Sequence, residues 1–105
     1  MSAMDPDRPP PSFDALHVPP AVLEQGGFEL LRAVIVDGSL HVSLRRAFDE
    51  PEVWGALLAD VARHIGRIYA KETALSEDQA FERAIAIFQA EIGAPTDPGT
   101  TSAIG

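Results

Sequence analysis

Between residues 51 and 69 the apolar positions of PEVWGALLADVARHIGRIY recur at the spacing of an α-helix. At about 100° per residue, Val53, Trp54, Leu57, Leu58, Val61, Ile65 and Ile68 share one broad face, with Tyr69 at its edge. Beside that face Gly55, Ala59, Ala62 and Gly66 form a stripe without bulk. Glycine inside a helix costs about 1 kcal/mol against alanine, so the stripe predicts a second helix packed close, at the short end of the ~8–10 Å range. Asp60, Arg63, His64 and Arg67 are left as a narrow polar strip. At the start of the helix Asp49 is the expected N-cap, with Glu52 completing a capping box. Phe48 and Val53 suit a hydrophobic staple, and Pro51 falls in the first turn, where a missing N–H does no harm.

Upstream the period changes from 3.6 to 2. Residues 28–36 and 39–45 predict a β-hairpin around Asp37-Gly38, a favoured pair for a two-residue type I′ turn. With Val36 opposite Ser39, Ile35 meets Leu40, Ala33 meets Val42 and Leu31 meets Leu44. All six then share one face, which a one-residue slip would destroy. The other face carries Leu30, Arg32, Val34 and Val36 against Ser39, His41, Ser43 and Arg45. That is too apolar for plain solvent surface.

Before the hairpin, Leu16, Val18, Val22 and Leu23 flank Pro19-Pro20 and predict an apolar strap, with one helical turn from Pro20 that Gly26-Gly27 breaks. After the central helix, Ser76-Glu77-Asp78-Gln79 reads as a capping box. It opens a helix with Phe81, Ala84, Ile85, Phe88 and Ile92 on one side, ended by Gly93 and Pro95. The fold class is therefore α+β, a hairpin followed by two helices (ββαα) on one side of it. Residues 1–15 and 94–105 are rich in Pro or Gly and are expected to be disordered, leaving 16–93 as the single domain.

Composition changes this picture in one respect. The chain has 105 residues and no cysteine, so a small core has neither disulfide nor thiolate metal site to support it. A lone hairpin also leaves two open edges. Pairing an edge with its copy in a C2 homodimer, giving a shared four-stranded sheet, answers both shortages. Net charge is −8. The segment 27–47 alone is slightly basic, and nucleic acid calls for a dense positive face. No apolar run reaches membrane-span length, and the N-terminus lacks the apolar core of a signal peptide. The expected location is the cytoplasm.

Glu29-x-x-Arg32, Val42-Ser43-Leu44 and above all Trp54-Gly55-x-Leu57-Leu58-Ala59-Asp60-x-Ala62-Arg63-His64 resemble a small bacterial family catalogued as a domain of unknown function. The resemblance spans residues 18 to 92. It implies a hairpin-plus-helices domain with no assigned activity, so it supplies no catalytic residue.

Candidate chemistry is confined to one strip. Asp60 and His64 are four apart on the helix with Arg63 and Arg67 beside them, a spacing that lets a carboxylate orient an imidazole. Arg32 and His41 of the hairpin are possible additions. An anion-binding strip and a plain salt-bridge network predict the same residues here, and ion-pair networks commonly imitate active sites. A metal would need three or four converging ligands. His41, His64 and Asp60 could supply them only if the hairpin's outer face met the strip, which core packing opposes. No cofactor pattern is present, and Ser39, Ser43 and Ser76 have turn, strand or cap roles. The sequence therefore favours a homodimeric structural or interaction module over a small-molecule or anion binder, and either over an enzyme.

Overall fold

A computed structural model describes residues 12–94 and 99–103 of the chain. The elements run α1 (Pro20–Gln25), β1 (Leu31–Val36), β2 (Ser39–Leu44), α2 (Pro51–Glu72), α3 (Glu77–Gly93) and β3 (Thr100–Ala103). The class is α+β, with the helix pair following the hairpin as the pattern predicts. No helix among the described residues is long and apolar enough to cross a membrane.

β1 and β2 pair antiparallel in the expected register, Leu31 opposite Leu44, Ala33 opposite Val42, Ile35 opposite Leu40 and Val36 opposite Ser39. Asp37 (φ 49°) and Gly38 (φ 81°) both take positive φ, as a type I′ turn requires. A β-branched residue is strained there. Gly38→Val is therefore expected to cost about 1–3 kcal/mol, seen as a lower urea midpoint at unchanged slope. An unchanged midpoint would refute the turn assignment.

One expectation is corrected at the C-terminal end. Residues 94–105 do not lie wholly outside the fold, because Thr100–Ala103 adds a third strand parallel to β2, with His41 opposite Thr100 and Leu44 opposite Ala103. Sheet order is β1-β2-β3, so β2 is flanked on both sides and β1 keeps an open edge. Gly99 makes the approach possible: its φ is +71°, and a Cβ there would sit 2.6 Å from the Leu40 carbonyl oxygen. Every β3 residue is exposed, so backbone pairing rather than side-chain burial defines the strand. Residues 1–11, 95–98 and 104–105 lie outside the described residues, and with them most of the N-terminal segment expected to be disordered.

The helices form an αα-hairpin joined at residues 73–76. Ser76 caps α3 as predicted: Gln79 N–H donates to Ser76 Oγ at 3.1 Å, and Ser76 N–H donates to Gln79 Oε1 at 2.9 Å. The start of α2 differs from expectation. Glu50, not Asp49, holds the N-cap position and makes no side-chain cap bond, with Pro51 as the first helical residue. Asp49 instead lies 3.9 Å from Arg46. Phe48 meets Trp54 edge-on, with ring centroids 5.6 Å apart.

The small-residue stripe divides. Gly66 is buried, and a Cβ on it would lie 2.9 Å from the Glu77 carbonyl oxygen and 3.4 Å from Phe81 Cβ. Ala62 is half-buried, while Ala59 and Gly55 are exposed and nothing lies within 4 Å of a Cβ placed on Gly55. Thus α3 packs on the C-terminal half of the stripe, and the two helices diverge toward Gly55. Inward from α3 come buried Ala80 and half-buried Phe81, Ala84 and Ile85.

The layers themselves give the main correction. Close approaches between elements join β1 to β2, β2 to β3 and α2 to α3; among the described residues no strand comes close to either long helix, and α1 comes close to no other element. The helices are therefore not laid on the hairpin of their own chain. The broad apolar face of α2 is turned roughly 130° from the Gly66 stripe, so α3 cannot cover it, and Ile68 remains 51% exposed. Nor does the segment before the hairpin act as an apolar strap, since Leu16 is 96% exposed.

Candidate functional site

The polar strip of α2 lies beside the α3 contact, and that position explains most of its chemistry. The Arg63 guanidinium carbon sits 3.9 Å from the Phe81 ring centroid, a cation–π stack worth about 0.5–1 kcal/mol at a partly exposed site. Arg67 Nε lies 3.9 Å from Glu77 Oε2, and Arg67 Nη1 lies 3.4 Å from His64 Nδ1. In that second contact the guanidinium can only donate, so Nδ1 is the acceptor. Arg63, Gly66 and Arg67 thus all meet the first turns of α3 through Glu77 and Phe81. Exposed pairs of this kind contribute little singly.

The structure brings together some of the predicted residues and separates the rest. Asp60 makes no hydrogen bond to His64, so the expected carboxylate–imidazole pair is absent among the described residues. His41 lies on β2 opposite Val34, in the other layer. Arg32 is also in the sheet, where Nη2 and Nε donate to Glu29 at 2.9 and 3.2 Å. No group of three or more His, Asp or Glu among the described residues could hold a metal ion.

A second feature was missed in the sequence. Arg32 lies over Phe13 and Arg45 over Phe28, with guanidinium carbons 5.3 and 5.4 Å from the ring centroids. Both arginines lie on the hairpin's outer face, Arg32 opposite Ser43 and Arg45 opposite Leu30. They border a shallow depression of about 270 Å³ lined by Glu29, Leu31, Arg32, Ser43 and Arg45 among others. The available signal was a pair of aromatics upstream of two arginines that stand diagonally across the hairpin. Sequence spacing alone does not say that they meet.

The fold thus defines a class, a small α+β domain of a three-stranded sheet and one helix pair whose apolar faces are left largely open among the described residues. The chain belongs to the family "Domain of unknown function (DUF5076)", whose model matches residues 15–96. That match ends before β3. Among solved structures the chain is similar to one described as "a putative pyruvate dehydrogenase from the photosynthetic bacterium Rhodopseudomonas palustrus CGA009". Identity is 42%, the match covers 90% of this chain and 98% of that one, and the TM-score is 0.68. No curated protein matches the chain.

Proposed function

We propose that the chain is a homodimeric structural or interaction module. One observation carries this reading: both layers leave apolar faces open, Ile35 and Leu40 on the sheet and Val61, Ile65 and Ile68 on α2. Single exposed apolar residues are ordinary, whereas contiguous apolar faces mark interfaces. The free edge of β1 is a second ground, because an edge strand presents unpaired N–H and C=O groups. Antiparallel pairing of β1 with its copy joins two three-stranded sheets into one, a larger assembly than the four strands expected from the hairpin alone. The surplus of acidic residues gives nucleic acid no part in this reading.

Light scattering over a wide dilution series tests it. The expected mass is twice the 11.2 kDa of one chain, with a thermal midpoint that rises with protein concentration, since only the folded state associates. A single-chain mass with a constant midpoint would overturn it.

The dehydrogenase description of the R. palustrus protein is not carried over. A second reading, binding of a small anion by Asp60, Arg63, His64 and Arg67, is favoured by His64 and Arg67 standing side by side on an exposed surface. Titration with inorganic phosphate, followed by the imidazole and guanidinium NMR signals, tests it; saturable shifts would support binding and unmoved signals would dismiss it.

A further inference from the structure

We infer that two copies exchange layers, the helix pair of each covering the apolar face of the other's sheet. This rests on the homodimer reading and goes further, because a dimer joined only along β1 would leave these faces wet. A sheet with one apolar face and a helix with one apolar side need each other, and stable domains are built by stacking such layers. Here both halves of that stack are present in one chain and do not meet.

The connector is long enough to let them stay apart. Residues 45–50 begin on the sheet, where Arg45 N–H donates to Leu30 O at 3.1 Å, and end with Phe48 packed on Trp54. Six residues can span up to ~20 Å. That reach is enough to carry α2 off its own sheet and onto a neighbour's.

Area points to a second copy as the occupant. Ile35 and Leu40 on the sheet, with Val61, Ile65, Ile68, Ile87 and Phe88 on the helices, are each exposed by about two-fifths or more. At ~200 Å² for a large side chain, open apolar surface of this extent approaches the ~800 Å² that each partner contributes to a stable dimer. One two-fold operation buries both kinds of face at once, which an unrelated partner would not do.

The test is NMR on a sample in which ¹³C-labelled and unlabelled chains are unfolded together and refolded as mixed dimers. Isotope-filtered NOEs are expected between chains, linking methyls of Ile35, Leu40 and Val42 with those of Val61, Ile65 and Ile68. Sizing of the same sample is expected to give the dimer mass. A dimer whose sheet-to-helix NOEs arise only within a chain, or do not arise at all, would overturn layer exchange while leaving the dimer standing. A single-chain mass would overturn both.

Discussion

Gly66→Ala is expected to destabilise the protein by roughly 1–3 kcal/mol, although alanine is the better helix former. Two effects oppose each other. Propensity alone favours the substitution by about 1 kcal/mol. Against it stands a Cβ placed 2.9 Å from the Glu77 carbonyl oxygen, with Phe81 Cβ at 3.4 Å behind. Neither neighbour is the far end of a flexible side chain. The carbonyl belongs to the first turn of α3, so relief requires the whole helix to move and to loosen Arg63–Phe81 and Arg67–Glu77 with it. Close packing therefore outweighs propensity. Gly55→Ala is the matched control. Within one chain nothing lies within 4 Å of its Cβ, so the propensity gain of up to ~1 kcal/mol should appear alone. Urea unfolding of both variants gives the signs. A stabilised Gly66→Ala would mean that the two helices do not pack as described. A destabilised Gly55→Ala would place another chain against the open half of the stripe.

What could be read in the sequence was what local rules decide. Asp37-Gly38 fixes a turn of two residues, and strict alternation on both flanks then leaves one register that keeps Leu31, Ile35, Leu40 and Leu44 together. Ser76 and Gln79 satisfy each other three residues apart, so the start of α3 needs no tertiary information. The start of α2 was less determined. Asp49 and Glu50 both precede Pro51, and either leaves the proline in the first turn, so which one caps depends on how the connector leaves the sheet.

Non-local structure was not legible in this way. β3 has the sequence Thr-Thr-Ser-Ala, with no alternation of apolar and polar residues, and its strand is made by pairing to β2 alone. The stripe from Gly55 to Gly66 announced close packing but not its partner, and the structure assigns Gly66 to α3 and leaves Gly55 open. In the candidate site, helical spacing brought Asp60 and His64 to neighbouring positions. The imidazole lies instead beside Arg67, which also lies 3.9 Å from Glu77. Spacing states which side chains can meet; competition among partners states which do.

Ile35→Lys should separate the lone chain from the assembly with the largest effect of any surface change. In one chain Ile35 is 66% exposed, and a lysine there would change stability by no more than about 0.5 kcal/mol, as surface substitutions usually do. Beneath a partner's helix pair the same change forfeits about 2 kcal/mol of apolar burial. It also places an ammonium under an apolar layer, at a further cost of several kcal/mol unless the interface opens. The expected result is dissociation to single chains at micromolar concentration, with a large fall in the thermal midpoint. Val36→Lys is the comparison, one residue along and therefore on the opposite face of β1. It adds the same charge beside the same turn, so a general effect of charge on the hairpin would appear in both variants. Loss of the dimer in Ile35→Lys alone would locate the covered face on the Ile35 side. Indifference of both variants in sizing and unfolding would mean that the sheet faces water, and the interface proposed for it would fall.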